Sequence, residues 1–289
     1  MKIRLSVFAL FGAALFVPLS AQQQAPAAEQ AVPSAAAGPT SAIAPLRVYL
    51  RGGPKTHGEG LHDYPQFVAD WSKVLQDRGV IIDGGLHSPT MEELAGVDVL
   101  VTYKGDAGYV TTGERAVLEA FLKRGGGLVA LHDSICAEDA EWWATIYGGA
   151  KKHGEQNFSS GEIKTTFVDK THPITQGIAD YTITDEAFFK MSWAKNAQGQ
   201  PAIHVLATAP MPASGEVVPQ MWTYERTVAG GTKPYRAFVS IPGHLYENFN
   251  RANYRAISEE ELTGKGAKAV PLCDVPASSL LPYAAERAD

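Results

Sequence analysis

The sequence of 289 residues has only two cysteines and no cluster of basic residues. Cys136 and Cys273 are far apart and match no zinc motif, and whether they pair in an oxidising compartment stays open. Lysine and arginine together number 25 against 31 acidic residues, which gives a formal net charge of −6. Because the basic residues form no stripe, we expect neither nucleic acid nor an anionic membrane surface as a partner.

The sequence also lacks an apolar run of the roughly 20 residues that a membrane-spanning helix requires. Near the N-terminus, a basic segment (1–4) precedes a shorter apolar run (5–17) and small residues ending at Ala21. This order predicts a signal peptide over residues 1–21, with an uncleaved anchor as the alternative. We therefore expect a periplasmic or secreted protein that has no membrane contact after cleavage. Residues 22–45, rich in Ala, Pro and Gln, predict a disordered linker.

Residues 46–289 have the pattern of an α/β domain, in which strands and amphipathic helices alternate through the first half. One helix begins with a Thr-x-x-Glu capping box at Thr111 and Glu114. Such repeats predict a single doubly wound, mostly parallel sheet of the flavodoxin-like kind, covered on both faces. The predicted strands are 46–50, 80–82, 97–103, 128–131, 163–168, 203–207, 220–226 and 235–241, with a closing helix at 250–261.

Histidines follow three of the predicted strands. His132 comes directly after the strand at 128–131, and His244 follows the strand at 235–241 through a Pro-Gly pair. The first strand opens into a Gly-rich loop with His57 and His62. The carboxyl ends of parallel strands form the ligand crevice of such a sheet. We therefore predict that His62, His132 and His244 share one pocket.

The other candidate side chains have alternative interpretations. Cys136 lies beyond the turn at His132, and no Gly-x-Ser-x-Gly motif is present, which disfavours nucleophilic acyl transfer. His172 precedes a proline and suits a local turn hydrogen bond. His87 and His204 are expected outside the pocket, and an exposed loop is the default for Glu186.

No run in the sequence matches a zinc signature such as His-Glu-x-x-His. A metal site would have to be assembled from distant segments. Imidazole and carboxylate ligands suit Zn, Fe, Ni or Mn better than Ca or Mg.

Seven short motifs occur in order along the sequence: Leu61–Pro65, Gly126–His132, Tyr147–Gly149 with His153, His172–Thr175, Asp185–Glu186, Val205–Thr208 and Pro242–His244. Together they resemble the ThuA-like (trehalose utilisation) family, whose fold is similar to that of the class I glutamine amidotransferases. The resemblance implies a role in carbohydrate metabolism, and it adds Glu186 to the predicted pocket. His132 stands where the amidotransferases have their nucleophilic cysteine. His153 is a further candidate for the pocket, because the segment after the helix that follows His132 can fold back over the crevice.

The sequence thus favours an exported enzyme acting on a sugar or keto-sugar, as a hydrolase, lyase or isomerase. His132, His244, Glu186 and His62 are the predicted catalytic residues. A divalent metal such as zinc would be held by His132, His244, Glu186 and His153. A non-catalytic carbohydrate-binding protein, whose tryptophans stack on the sugar, is the alternative, and a hydrolase using Cys136 is a third hypothesis. The expected partner is a small carbohydrate, and a homo-oligomer stays open.

Overall fold

The computed structural model describes residues 45–104 and 110–250, which belong to one compact unit of the chain. The predicted signal peptide, the linker up to residue 44, the closing helix after residue 250 and Cys273 lie outside the described residues. None of the described helices is long and apolar enough to cross a membrane.

Twelve strands form two sheets in the described part of the chain. They are β1 (Arg47–Arg51), β2 (Ile81–Gly85), β3 (Val99–Tyr103), β4 (Gly127–Leu131), β5 (Cys136–Ala137), β6 (Gly149–Lys152), β7 (Phe158–Phe167), β8 (Tyr181–Phe188), β9 (Ser192–Trp193), β10 (His204–Pro210), β11 (Val217–Arg226) and β12 (Tyr235–Ser240). The large sheet has the order β2-β1-β3-β4-β12-β11-β10-β7-β8, and the small sheet has the order β5-β6-β9.

The prediction of a single, mostly parallel sheet is wrong, because the large sheet is mixed and a second sheet is present. Strands β2, β1, β3, β4 and β12 are parallel neighbours. The pairs from β12 through β11, β10 and β7 to β8 are all antiparallel. No described helix lies between consecutive strands from β7 to β12. Strands joined without a crossover helix pair antiparallel, whereas parallel neighbours need a long connection.

The three helices are α1 (Tyr64–Gln76), α2 (Thr112–Lys123) and α3 (Ala140–Tyr147). The capping box at Thr111 and Glu114 is confirmed at the start of α2. Two buried clusters lie on opposite faces of the sheet. One contains Phe67 and Trp71 of α1, and the other contains Phe121 of α2 with Trp143 of α3. The parallel half is therefore covered on both faces, as predicted.

Strand β8 was not predicted, and it brings the antiparallel half of the sheet to the carboxyl end of β12. In a flat sheet, four strand spacings would put β8 about 19 Å from β12. Instead, the Asp185 carboxylate on β8 accepts hydrogen bonds from the backbone N–H groups of Gly243 and His244, just after β12. The antiparallel half must therefore curl back toward the crevice.

Candidate functional site

Three imidazoles meet at the carboxyl ends of the parallel strands. His62 lies in the loop between β1 and α1, His132 begins the 3-10 helix that follows β4, and His244 follows β12. Because β1, β4 and β12 run in the same direction, these segments emerge at one edge of the sheet. The structure thus brings together the three histidines that the sequence placed in one pocket.

The ring nitrogens of this cluster point at one another. His62 Nε2 is 3.0 Å from His132 Nε2 and 2.8 Å from His244 Nδ1. One ligand atom from each of the three rings lies within 4.8 Å of the other two. Two nitrogens bound at right angles to a metal, with bonds of about 2.1 Å, would be about 3 Å apart. The observed spacings are therefore compatible with metal ligands, and they also lie in the range of hydrogen bonds.

The hydrogen bonds of the cluster leave one contact unsatisfied. His132 Nδ1 lies 2.7 Å from the Ile241 carbonyl oxygen, so it must carry the proton, and Nε2 of the neutral ring must present a lone pair. His62 Nε2 faces both other rings, but one ring nitrogen cannot donate and accept at the same time. At most one of the two short contacts is thus a good hydrogen bond. A cation would accept all three lone pairs and remove this conflict.

Burial keeps the three rings neutral. Burial and the neighbouring His132 imidazole lower the pKa of His62 to about 2. Burial also lowers the pKa of His132 well below its usual value and lowers the pKa of His244. Neutral imidazole is the form that binds a metal. At neutral pH, the cluster therefore presents lone pairs rather than charges.

Two of these histidines have a strained backbone conformation. His62 and His132 both have a φ of 48°, in the left-handed region that few residues other than glycine adopt. Gly243 has a φ of 146°, and a Cβ there would lie 3.0 Å from the Cβ of His132. The His132 turn can approach the β12 turn this closely only because residue 243 has no side chain. Strain of this kind clusters at functional sites.

Two carboxylates border the imidazoles. Glu186 Oε2 is 3.6 Å from His244 Nδ1 and 3.9 Å from His132 Nε2, and the side chain is 12% exposed. Burial raises the pKa of Glu186 above its usual value, which favours the protonated carboxyl more than at an exposed glutamate. Asp133 Oδ2 lies 3.6 Å from His62 Nδ1, the ring nitrogen that points away from the cluster. Glu186 therefore lies on strand β8 beside the imidazoles, and not in an exposed loop, which was the default expectation from the sequence.

Asp185 stabilises the backbone next to the imidazoles. Its carboxylate is buried and accepts four hydrogen bonds, from the N–H groups of Gly243, His244 and Glu186 and from the amide of Asn248. These bonds fix the backbone that carries His244 and Glu186. Such supporting contacts tune metal sites and active sites.

The remaining predicted residues lie apart from the cluster or at its rim. His153 is exposed just after β6 and is not among the described residues whose ligand atoms converge, so its role as a ligand stays a prediction. His57 is exposed, with its ring 3.9 Å from that of His62. His87 pairs with Glu93, outside the site as predicted.

His204 pairs with Asp169, also outside the site as predicted. His172 Nδ1 accepts the Ile174 N–H, which confirms the predicted turn bond. Cys136 is buried, and burial and the nearby Asp133 raise the pKa of its thiol well above the usual value. Because the thiolate is the nucleophile, this environment disfavours the hydrolase that would use Cys136.

Three polar residues next to the imidazoles had no role predicted from the sequence: Asp133, Asp185 and Lys151. Lys151 is buried, and its charge acts on His132. Asp133 follows His132 and Asp185 precedes Glu186, so adjacency to a predicted site residue was the available signal. Lys151 follows a Gly-Gly-Ala segment with no clear periodic pattern, and it is not adjacent to a predicted site residue.

Comparison with known proteins places these features in a family context. A sequence profile of the ThuA family, described as trehalose utilisation, matches residues 55–260. No curated protein matches the sequence. A ThuA-like protein from Bacteroides uniformis is 16% identical, with a TM-score of 0.55 and coverage of 76% of this chain and 90% of that one. A second, from Parabacteroides merdae, is 18% identical, with a TM-score of 0.51 and coverage of 69% and 80%.

A third solved structure is a weaker match. A glutamine amidotransferase from Thermotoga maritima is 12% identical, with a TM-score of 0.41 and coverage of 83% of this chain and 90% of that one. At identities this low, the solved structures describe the fold and not the reaction.

Proposed function

Because the chain belongs to the ThuA family, described as trehalose utilisation, we propose that it is an enzyme that acts on a sugar or keto-sugar. The reaction is metal-assisted acid–base chemistry. His62, His132 and His244 hold a divalent metal, and Glu186 transfers the proton. The observation that carries the proposal is the meeting of three neutral ring nitrogens whose two short contacts cannot both be hydrogen bonds.

The proposed chemistry divides the roles between the residues. A divalent metal held by His62, His132 and His244 would supply Lewis-acid polarisation of a substrate oxygen. The Glu186 carboxylate takes the proton from the carbon next to a substrate carbonyl, which leaves a carboxylic acid and an enolate, and later returns the proton. A raised pKa suits this group to both halves of the exchange. Asp133, beside His62 Nδ1, holds the orientation of that ring.

The alternative of a carbohydrate-binding protein has less support from the described side chains. Trp71, Trp143 and Trp222 are buried and present no ring face to a sugar. Trp142 and Trp193 are half-buried. Stacking on aromatic faces would have to rely on these two.

The function is tested by turnover of a panel of keto-sugars and disaccharides with metal-supplemented protein. Exchange of the substrate's carbon-bound proton in D2O, followed by NMR, detects the proposed step. Glu186→Gln should slow the exchange at least about 100-fold, and Glu162→Gln, an exposed carboxylate on β7, is the matched control. If no sugar turns over with the wild type, and sugar affinity survives the double change His132→Ala plus His244→Ala, the protein is a binding protein.

We also propose that the protein works in the periplasm or outside the cell, on the strength of the predicted signal peptide over residues 1–21. Cell fractionation with an antibody against the folded domain tests this. Recovery of the mature-size protein in the cytoplasmic fraction would contradict it.

A further inference from the structure

A buried lysine lies beside the imidazole cluster, and the proposed mechanism does not use it. Lys151 is on β6, opposite Cys136 in the register of the small sheet, and is 7% exposed. Its ammonium lies 4.2 Å from the ring centroid of Phe188 and 4.8 Å from that of Phe158. Two aromatic faces therefore fix the position of the cation.

Within the part of the chain that the structure describes, the charge of Lys151 has no close counter-ion. Among the described residues, no carboxylate oxygen lies within 4.0 Å of this ammonium, whereas surface lysines such as Lys73 and Lys170 have one. Besides the two rings, its neighbour across the small sheet is Cys136, whose thiol is a weak partner for a cation. Burying an ammonium without an anion is unfavourable unless something else compensates. An anionic ligand bound next to Lys151 would compensate this buried charge.

Lys151 lies close to the proposed site. The ring of Phe188, which contacts its ammonium, also packs 5.1 Å from the ring of His132. Only one side chain thus separates the cation from the imidazoles. Its charge also acts on the other members of the site, since it lowers the pKa of Glu186 against the effect of burial.

We propose that Lys151 forms an anion subsite beside the imidazole cluster, so that the preferred ligand is a sugar acid whose carboxylate the ammonium binds. The remaining sugar oxygens then face the imidazoles and Glu186. This inference rests on the proposed function of the pocket in binding sugars, and it narrows the substrate class from sugars in general to sugars bearing a carboxylate.

The test measures binding, not turnover. Calorimetric titration compares glucuronate with glucuronamide, in which a neutral amide replaces the carboxylate. The protein is treated with chelator first, so that a bound metal cannot act as the anion receptor. We expect the wild type to bind glucuronate about tenfold or more tightly than glucuronamide, the effect of a charge-assisted hydrogen bond. Lys151→Met should abolish that preference.

The matched control is Lys152→Met, which removes the same charge from the exposed neighbour on β6. It should keep the preference for glucuronate. Near-ultraviolet circular dichroism checks that each variant is folded. If Lys151→Met does not fold, Lys151→Gln takes its place, and if neither folds, the wild-type comparison decides alone.

Three results would overturn the inference: equal affinity of the wild type for the two ligands, no binding of glucuronate, or a preference that persists in the folded Lys151 variant. These results leave turnover of neutral keto-sugars untouched. A failure of the anion subsite is therefore distinguishable from a failure of the proposed enzyme activity.

Discussion

Replacing Asp185 by asparagine should strongly destabilise the fold and loosen the site. The buried carboxylate binds four donors with its two oxygens: Oδ1 accepts from the N–H groups of Glu186 (2.7 Å) and His244 (2.9 Å), and Oδ2 accepts from Gly243 (3.1 Å) and Asn248 (2.6 Å). Asparagine keeps one oxygen and turns the other position into a donor. Two of the four donors then lose their acceptor.

The size of the effect follows from these contacts. A buried donor without a partner costs about 1–3 kcal/mol, so two cost about 2–6 kcal/mol. Two features reduce the loss. Burial raises the pKa of Asp185, so the neutral amide avoids part of the desolvation of the charge, and the unpartnered Oδ1 of Asn248 can accept from the new amide after rotation. We therefore expect Asp185→Asn to lower the free energy of unfolding by about 2–4 kcal/mol.

Urea denaturation of chelator-treated protein at pH 7.5, followed by tryptophan fluorescence, measures this change. Glu162→Gln is the control, because Glu162 is exposed beside β8 and loses the same charge. It should change the stability by less than about 0.5 kcal/mol. The reasoning is refuted if Asp185→Asn is as stable as Glu162→Gln, since the four hydrogen bonds would then contribute nothing.

Three further predictions concern the same region. Gly243→Ala puts a Cβ 3.0 Å from that of His132, so it should lower the free energy of unfolding by about 1–3 kcal/mol and displace the turn after β12. An unchanged melting temperature with unchanged metal affinity would argue against this prediction. The Cys136 peptide of the native protein should stay unmodified by iodoacetamide at pH 7 and react only after denaturation, because the thiol is buried and its pKa is raised; rapid native labelling on peptide mapping would disprove this. The pKa of His62 is lowered to about 2 in the folded protein, so unfolding takes up a proton below about pH 6.5 and stability falls as the pH drops, by about 1.4 kcal/mol per pH unit from this residue. The difference between the wild type and His62→Gln, both metal-free, isolates this slope from the opposing titration of Glu186, and a pH-independent difference contradicts the prediction.

The sequence was sufficient to place the imidazoles because their positions depend on local order along the chain. A buried strand followed at once by His132, or by Pro-Gly and His244, must deliver those side chains to one edge of a parallel sheet. The start of α2 was predictable for the same reason, since the Thr111 capping box is a contact between near neighbours.

Features that depend on long-range pairing were not predictable. In β8 buried positions alternate through Asp185, but the residue at that buried position is an acid, followed by the acidic Glu186. The polarity of this pair resembles that of a loop until its partners are known. Nothing local shows that β8 curls back to β12. The ammonium of Lys151 is buried only because Phe158 and Phe188, from two other strands, cover it.

Metal content tests the central claim most directly. We predict that the purified mature chain, expressed in medium supplemented with Zn, Mn, Fe and Ni, contains about one equivalent of a divalent transition metal per chain by elemental analysis. His132→Ala should reduce this content at least tenfold, whereas His204→Ala, which alters an exposed histidine paired with Asp169, should retain it. A folded wild type with substoichiometric metal, or equal metal in the two variants, would contradict the account.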